Sequence, residues 1–174
     1  NLMTELEHNK VDLIIGGATE PPPNIYQRMV ASDGFQGVVR KGHPNETGLN
    51  IEQYLRLKHI LISHKGTGTS EVDDMLKKQG LERNVAVRMP HFFAALEIIA
   101  TTDYMILLPE HFVRRYVDTE KFSIVAAPFE VPTFDISMFW HARMHHDPMH
   151  QWFRAFVYKK IYNRKDKGAR VNFS

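Results

Sequence analysis

Four of the ten histidines fall close together near the end of the chain, and clustered imidazoles suggest a metal site. They are His141, His145, His146 and His150. His146 and His150 have the i, i+4 spacing by which one helix face presents two ligands. However, Asp147 and Pro148 predict a helix that begins after His146, and no carboxylate or thiol completes a ligand set. We therefore interpret these histidines as structural or surface residues, and we expect no metal and no cofactor.

A nucleophilic triad would need a serine, a histidine and an aspartate within reach of one another. The candidates are Ser63 or Ser70, His91 and Asp103. No G-x-S-x-G elbow presents either serine as a nucleophile. Ser70 lies in the sequence TGTSE and is better explained as a helix cap, with Asp73 completing a capping box. We therefore predict no catalytic residues, and the chain is not expected to be an enzyme.

The segment 66–69, Gly-Thr-Gly-Thr, could bind an anion because it stands at the predicted entrance of a helix. Free backbone N–H groups attract negative charge there, and the hydroxyls of Thr67 and Thr69 add two donors on either side of Gly68. A carboxylate could therefore dock at this entrance. The pattern lacks the P-loop lysine and the dinucleotide-binding glycines, and a plain turn into the helix explains it equally well.

Two other segments stand at places where α/β proteins bind small molecules. Gly16 and Gly17 close the apolar run 11–15, which we interpret as a buried parallel strand. Ligands commonly bind outside the carboxyl ends of such strands. His91 and Phe92 follow a proline at another predicted helix start. A lone histidine beside two phenylalanines also fits a packed core, so both interpretations stay open.

Short apolar runs alternate with amphipathic stretches along the chain, and this alternation favours an α/β fold with mostly parallel sheets. The predicted strands cover residues 11–15, 26–31, 35–40, 58–63, 84–89, 104–108, 122–127 and 134–142. The predicted helices cover residues 1–9, 50–57, 70–79, 91–101, 110–118 and a long terminal segment from 148. On that last helix, apolar residues at three- to four-residue spacing predict a buried stripe. Its members are Met149, Trp152, Phe153, Phe156 and Ile161.

The composition indicates a globular chain without pointing to a partner. Of the 174 residues, 43% are hydrophobic and 24% are charged, which is enough to bury one sizeable core or a core divided between two lobes. No apolar run approaches the ~20 residues that cross a membrane, and no secretion signal is recognised. The absence of cysteine excludes disulfides and fits a cytoplasmic location, which we expect. The net charge of +2 is too small to indicate a nucleic-acid surface.

Several segments in register resemble one known family. A strand ending in WHAR is followed by DPMHQWFR, and upstream lie VDLIIGGA, VVRKGHP, KHILISHKGTGTSEVDDML and VRMPHFFAALEIIATTDYMILLPEHF. Together these segments resemble the effector-binding domain of LysR-type transcriptional regulators, and the resemblance covers nearly the whole chain. The HHDP sequence before the last helix is similar to the branch whose members respond to aromatic compounds and to nodulation signals.

The resemblance implies an α/β fold of two lobes, like that of type 2 periplasmic binding proteins, joined by two crossover strands. It divides the chain into lobe I (1–34 and 143–165), lobe II (42–134), crossover strands (35–40 and 136–142) and a flexible tail (166–174). It also implies that the chain begins inside the effector-binding domain, so that the first lobe is truncated at its N-terminus. The family's DNA-binding helix-turn-helix domain is expected to be absent from this chain.

In the family a small effector binds between the lobes. The resemblance implies that several of the candidate segments face this effector. The implied effector-binding residues are Gly16, Gly17, Phe35, Thr67, Gly68, Thr69, His91, Phe92 and Phe139. Phe35 and Phe139, one on each crossover strand, would form apolar walls for an aromatic ring, and hinge packing is compatible with the same positions. The effector class that we expect is an aromatic carboxylate.

The predicted function is to sense a small organic effector and, through thermodynamic linkage, to change how a DNA-bound regulator acts. DNA would be contacted only through the helix-turn-helix domain, and no membrane contact is expected. The resemblance implies a homo-oligomer, a dimer that forms a tetramer at full length. The sheet edge beside residues 11–15 also favours association between copies. The alternative is a periplasmic-type solute-binding protein, which shares the fold.

Overall fold

The computed structural model describes residues 2–17, 20–63 and 68–168, so the predicted site residue Thr67 lies outside the described residues. The helices are α1 (Leu2–Glu7), α2 (Ile51–Arg56), α3 (Glu71–Lys78), α4 (Phe92–Thr101), α5 (Glu110–Tyr116) and α6 (Pro148–Gly168). The strands are β1 (Ile14–Gly17), β2 (Ile25–Asp33), β3 (Phe35–Arg40), β4 (Lys58–Ile62), β5 (Asn84–Met89), β6 (Tyr104–Pro109), β7 (Phe122–Val125) and β8 (Phe134–His141). A short 3₁₀ helix, Ala142–Met144, connects β8 to α6. Among the helices described, none has the length and apolar character of a membrane span.

The chain divides into two compact units, each with its own sheet. The first unit combines Asn1–Asp33 with Phe134–Ser174, and the second unit is the continuous segment Gly34–Thr133. The segments predicted as crossover strands each lie within one sheet, since β3 belongs to the second unit and β8 to the first. The lobe boundaries inferred from the resemblance stay predictions.

The first unit is an antiparallel sheet with strand order β1-β8-β2, packed on both faces. Alternate residues of β8 point to opposite faces of the sheet. Phe139 packs in a cluster with Leu6 of α1, whereas the cluster that contains Met138 includes Val157 of α6. Phe139 and Met138 are both fully buried, so β8 is the central strand of this unit in position and in packing.

Two predictions about strand direction are wrong. The apolar run 11–15 predicts a buried parallel strand, but β1 lies at the edge of its sheet and runs antiparallel to β8. Ile15 is 48% exposed there. The prediction of mostly parallel sheets also fails for the first unit, where both strand pairs are antiparallel. Periodicity shows which residues are apolar, and it carries no information on the direction of the neighbouring strand.

The terminal helix begins where the sequence predicts, but it buries a different face. The backbone N–H of His150 donates to the Asp147 carboxylate at 2.7 Å, as expected for a helix cap. The predicted buried stripe is wrong, because Trp152 is 65% exposed. The helix also continues to Gly168, into the segment predicted as a flexible tail, and the rest of that segment, 169–174, lies outside the described residues.

Polar contacts decide which face of α6 is buried. His150 and Arg154 are both buried, and Nε2 of His150 donates to the carbonyl of Asp12 at 2.8 Å. The Arg154 guanidinium donates to the carbonyl of His145 at 2.9 Å and lies 4.4 Å from the centre of the Trp140 ring. Buried polar groups need such partners, so the face that carries them is held against the sheet.

The second unit has a five-stranded sheet with strand order β5-β4-β6-β3-β7. β4 runs parallel to β5 and β6, and β3 runs antiparallel to β6 and β7. α4 and α5 pack on one face around Ile60 and Ile106, and α2 and α3 pack on the other face around Val39 and Met105. Because helices cover both faces, loops that carry a site emerge at the ends of the strands.

The capping box predicted from the sequence is confirmed in this unit. The Ser70 hydroxyl accepts the backbone N–H of Asp73 at 3.3 Å, and the Asp73 carboxylate accepts the backbone N–H of Ser70 at 2.7 Å. After α3, Gly80 has a φ of +72°, a conformation that glycine adopts without strain. These local signals fix both ends of the helix that follows the Gly-Thr-Gly-Thr segment.

Alanine substitution of Phe139 and of Trp152 tests this assignment of core and surface. Phe139→Ala should lower the free energy of unfolding by about 3–5 kcal/mol, because the ring is fully buried. Trp152→Ala should lower it by less than about 1 kcal/mol, because most of the indole already faces solvent. Equilibrium denaturation measures both values, and a large loss for Trp152→Ala would contradict the placement of α6.

Candidate functional site

The three parallel strands of the second unit end at one edge of their sheet, and three helices begin there. β4 leads to α3, β5 to α4 and β6 to α5. Because β5 and β6 lie on opposite sides of β4, the successive connections diverge at this edge, which is where α/β sheets open a binding crevice. The backbone N–H of Ser63 donates to the carbonyl of Met89 at 2.9 Å and ties two strand ends together. We call residues 68–70 and 88–92 the carboxyl-edge site.

Gly68 and Thr69 form the α3 side of the carboxyl-edge site. Gly68 has a φ of +90°, which favours glycine, and its carbonyl accepts a hydrogen bond of 3.4 Å from Nε of Arg88. The Thr69 hydroxyl donates to the Asp74 carboxylate at 2.9 Å. Both predicted residues are exposed at the edge of the sheet, and the hydroxyl proton of Thr69 already has a partner within the protein.

Acidic side chains dominate the described part of the α3 entrance. Its first turn carries Glu71, Asp73 and Asp74, which already complement the positive end of the helix dipole. The capping box also uses the backbone N–H of Asp73, since the Ser70 hydroxyl accepts it. A negatively charged ligand group would meet like charges here.

The entrance of α4, in contrast, has no acidic side chain in its first turn and leaves its backbone donors uncapped. Its N-cap residue, His91, is exposed, and in the described part of the chain no side chain caps the first turn, which also lacks an acidic residue. Arg88 is exposed on β5 just before it. The Phe92 ring lies 4.9 Å from that of Phe112. Backbone donors and an aromatic ring therefore occur together on this side of the carboxyl-edge site, while the guanidinium of Arg88 contacts the α3 side.

A buried arginine beneath the site fixes the start of α3. Arg83 donates to Asp73 at 2.6 Å, to the Ser70 hydroxyl at 3.1 Å and to the Tyr54 hydroxyl at 3.2 Å. Burial alone would lower the pKa of Arg83, but its bond to Asp73 and its contacts with Tyr54 outweigh burial and raise it. Burial would raise the pKa of Asp73, but the hydrogen bonds from Arg83 and Ser70 outweigh burial and hold it below its usual value. Both groups are therefore charged in the folded protein.

His59 extends this network from β4. It is fully buried, and its Nε2 donates to the Tyr54 carbonyl at 2.8 Å, while Nδ1 has no hydrogen-bond partner within the described residues. Burial lowers the pKa of His59 to about 4, so the ring is neutral near pH 7. Sequence reasoning missed Arg83, Tyr54 and His59, because no local spacing connects them.

The remaining predicted site residues fall in different places. Gly16 and Gly17 lie on β1 in the first unit, where a Cβ on either would meet no atom within 4 Å. Phe35 is partly buried at the start of β3, opposite Pro109. The prediction for Phe139 needs correction, because its ring is fully buried in the first unit's core and offers no surface to a ligand. An aromatic side chain on the inward face of a central strand serves packing.

The histidines near the carboxyl end are engaged in packing. Nδ1 of His145 accepts from the Trp140 indole at 3.3 Å, and the His145 ring stacks on that of Tyr26 at 3.9 Å. Burial, together with the charges of His146 and Arg154, holds the pKa of His145 below its usual value. Among the described residues, no three His, Asp or Glu side chains are grouped so that they could hold a metal ion.

The fold, two units that each have their own sheet, is of the type 2 periplasmic-binding-protein-like class, as its likeness to solved regulatory domains shows. The sequence profile of the LysR substrate binding domain matches residues 1–161. The chain therefore belongs to the LysR substrate-binding domain family, the effector-binding domains of LysR-type transcriptional regulators. This membership does not favour the alternative of a periplasmic-type solute-binding protein.

Named relatives are transcriptional regulators. The chain is 30% identical over 155 residues to the HTH-type transcriptional activator NagR of a Ralstonia species, covering 88% of this chain and 52% of that protein. It is 29% identical over 159 residues to the HTH-type transcriptional activator NahR of Pseudomonas putida, covering 91% and 53%. The regulatory domain of MexT, a transcriptional activator in Pseudomonas aeruginosa, shares the fold with a TM-score of 0.79 at 23% identity, covering 91% of this chain and 76% of that chain. The chain spans about half the length of the curated relatives it matches.

The neutral state of His59 should make stability depend on pH. Its pKa in the folded chain, about 4, lies below the ordinary value of 6.5, so its contribution is complete above pH 6.5 and is lost as the pH falls toward 4. The loss should be about 3 kcal/mol. His59→Gln keeps a donor for the Tyr54 carbonyl but does not titrate, so it should flatten the pH dependence in this window. Chemical denaturation of both proteins measures the difference, and parallel pH profiles would show that His59 is not its source.

Proposed function

We propose that this chain senses a small aromatic carboxylate at the carboxyl-edge site and that binding controls a DNA-bound regulator. The observation that carries the proposal is the entrance of α4. There, backbone donors that no described side chain caps occur beside the Phe92 ring, and Arg88, which precedes this helix on β5, contacts Gly68 across the same site. Membership of the LysR substrate-binding domain family supports a sensing role, and the chemistry of this entrance supports the ligand class.

The charged end of the ligand is assigned to the α4 entrance. The positive end of the helix dipole and the Arg88 guanidinium both attract a carboxylate. The hydrogen bond from Arg88 to the Gly68 carbonyl is 3.4 Å long, at the weak end for an N–H···O bond. The guanidinium can therefore turn from Gly68 to a carboxylate with little loss.

The aromatic end of the ligand is assigned to the Phe92 side. Phe92 is partly buried and packs on the buried ring of Phe112 at 4.9 Å, so the accessible part of the Phe92 ring is the surface against which a ligand ring would pack. His91, which is exposed, supplies a polar group at the rim. This combination of an apolar wall with a few convergent polar groups is typical of small-molecule sites.

The proposed output is thermodynamic linkage. An effector that binds one conformation of the regulator more tightly than another shifts the population toward it, and the shift is limited by that difference in affinity. The proposal has four further parts. DNA is contacted through a separate helix-turn-helix domain, and the regulator is a homo-oligomer. It is cytoplasmic and has no catalytic activity. The relatives named as HTH-type transcriptional activators support the proposal.

Titration calorimetry with benzoate tests the ligand site. Arg88→Gln should weaken benzoate binding by about 1–2 kcal/mol, roughly ten-fold, because it removes a charge-assisted hydrogen bond. Arg56→Gln is the matched control, since this arginine ends α2 at the opposite end of β4 and pairs with Glu52 at 3.8 Å. It should leave the affinity unchanged. Benzamide, which has the same ring without the charge, should bind equally weakly to all three proteins.

Thr69→Val separates the two helix entrances in the same assay. The change deletes a hydroxyl while nearly keeping the shape, so it should matter only if the carboxylate binds at α3. A loss of about 1–2 kcal/mol in Thr69→Val with no loss in Arg88→Gln would move the carboxylate to the α3 entrance. No stabilisation by any aromatic acid in a thermal-shift screen would contradict the ligand class itself.

A further inference from the structure

Four histidines lie at the connection between β8 and α6, and the proposed effector site uses none of them. We call residues 141–150 the histidine joint. Three of its imidazoles each accept a hydrogen bond at Nδ1, and these are the rings of His141, His145 and His150. A ring nitrogen accepts only when it carries no proton, so these contacts define the protonation state of three rings.

The donors at the three rings have no lone pair to offer, so their direction is not in doubt. They are the backbone N–H of Arg143, 3.1 Å from His141, the indole N–H of Trp140, 3.3 Å from His145, and the Arg154 guanidinium beside His150. At His150, the Nε2–H donates to the carbonyl of Asp12 at 2.8 Å, so both nitrogens of that ring are engaged. The folded joint therefore requires neutral rings whose proton is on Nε2.

Arg154 connects the histidines to one another. Its guanidinium contacts Nδ1 of His150 and donates to the carbonyls of Met144, at 3.0 Å, and His145, at 2.9 Å. Arg154 is buried, and burial lowers its pKa, although the charge of Asp147 acts in the opposite direction. A proton added to either histidine would place a second positive charge near a guanidinium that is already costly to bury.

We infer that the histidine joint is a proton-sensitive switch that releases the start of α6 from the first unit under acidic conditions. Protonation turns the Nδ1 acceptor into a donor. At His145, the hydrogen bond from Trp140 is then lost. At His150, the charged ring repels Arg154, and both bonds of the guanidinium to the joint carbonyls are loosened. The switch is independent of the proposed effector and of its site, because all of these contacts lie within the first unit.

The groups that face His145 act in opposite directions. Tyr26 of β2 stacks on the His145 ring at 3.9 Å, and an aromatic face favours a cation. His146 lies 4.7 Å from His145 and repels it when both rings are charged. Burial, with the charges of His146 and Arg154, outweighs the stacking and holds the pKa of His145 below its usual value. The neutral ring is therefore the one that the fold favours.

The carboxylates near the other two rings are turned to other tasks. Near His150, the Asp147 carboxylate accepts the His150 backbone N–H at 2.7 Å, as the cap of α6. Asp12 faces the ring with its backbone carbonyl, and the residue is exposed. His141 faces Arg143, a further cation, which donates to the carbonyls of the last two residues of α1. The one carboxylate of the histidine joint is thus committed to the helix start.

The sign of the pH dependence follows from the neutral rings. The pKa of His145 in the folded chain is below the ordinary value of 6.5, so its contribution is complete above pH 6.5 and is lost as the pH falls. Each proton taken up on opening raises the opening constant about ten-fold per pH unit, and two protons raise it about a hundred-fold. A steep transition is therefore the signature of two histidines that act together.

Nuclear magnetic resonance of the imidazole nitrogens at about pH 7.5 tests the protonation states in the unaltered chain. His141, His145 and His150 should all be neutral rings with the proton on Nε2. A proton on Nδ1 of His145 or of His150 at this pH would overturn the inference, whether the ring is neutral or charged. This measurement does not depend on the folding of any variant.

Tryptophan emission and amide hydrogen exchange test the release itself. Trp152→Phe removes the exposed indole, so the emission reports the buried Trp140 alone. As the pH falls from about 7.5 to about 5, the emission should move to longer wavelength, and the first turns of α6 should exchange faster relative to their intrinsic rates. His145→Asn and His150→Asn each keep an acceptor near Nδ1 and do not titrate. Each should reduce the slope to about ten-fold per pH unit, and the double change should abolish the transition.

Two further changes serve as matched controls in the Trp152→Phe background. His8→Asn removes an exposed histidine of the first unit, and His59→Gln removes the buried histidine of the second unit. Neither should alter the transition, and circular dichroism at about pH 7.5 shows whether each variant is folded. A constant emission down to about pH 5, or a transition that persists in the folded double variant, would overturn the inference. A transition that disappears with His59→Gln would also overturn it, since the proton would then act in the second unit.

Discussion

The ion pair between Arg83 and Asp73 is the interaction on which the architecture of the carboxyl-edge site depends. It joins the chain after α3 to the first turn of α3, and the Arg83 contact with Tyr54 extends the link to α2. Removal of either charged partner of a buried pair leaves an uncompensated charge and typically costs about 3–5 kcal/mol. The α3 side of the site is therefore rigid, and its buried charges are paired. The uncapped backbone N–H donors lie at the start of α4. Because the α3 side is held rigidly and the α4 side supplies the free hydrogen-bond donors, the site is preorganised for its ligand.

Local signals in the sequence predict where elements begin and end, because the groups involved are neighbours along the chain. Asp147 caps α6, Ser70 caps α3, and Gly80 ends α3, each as its immediate sequence context indicates. Which face of a helix is buried is a different question. For α6, the buried face depends on the backbone carbonyl of Asp12, which accepts a hydrogen bond from His150. These two residues are 138 positions apart in the sequence. No periodicity in the α6 sequence contains that partner.

The residues of the candidate site also fall into two groups: those that local sequence predicts and those that only the folded structure reveals. His91, Phe92 and Thr69 are predictable because a strand followed by a helix start places them at the edge of a sheet whatever the rest of the fold does. Arg88 is an exposed arginine in an alternating strand, and only its contact with Gly68 distinguishes it from others. Phe139 is predicted to line the effector site but is buried in the core of the first unit. The sequence does not separate these roles, since an apolar residue suits a ligand wall and a core equally well. Burial separates the two roles, and burial is a property of the folded chain.

The order of the two units along the chain has a consequence for synthesis. The second unit is one continuous segment, whereas the first unit needs β8, which pairs with both β1 and β2 from the opposite end of the chain. The hydrogen bond from Gln27 to Ser137 alone closes a loop of 110 positions. Ile14 and Ile25 leave the ribosome well before β8 and must therefore wait with their apolar side chains exposed until β8 has followed. Folding of the second unit in the meantime shortens the loop that remains to be closed. Within this chain, the first unit therefore completes its sheet only after the whole second unit has been made.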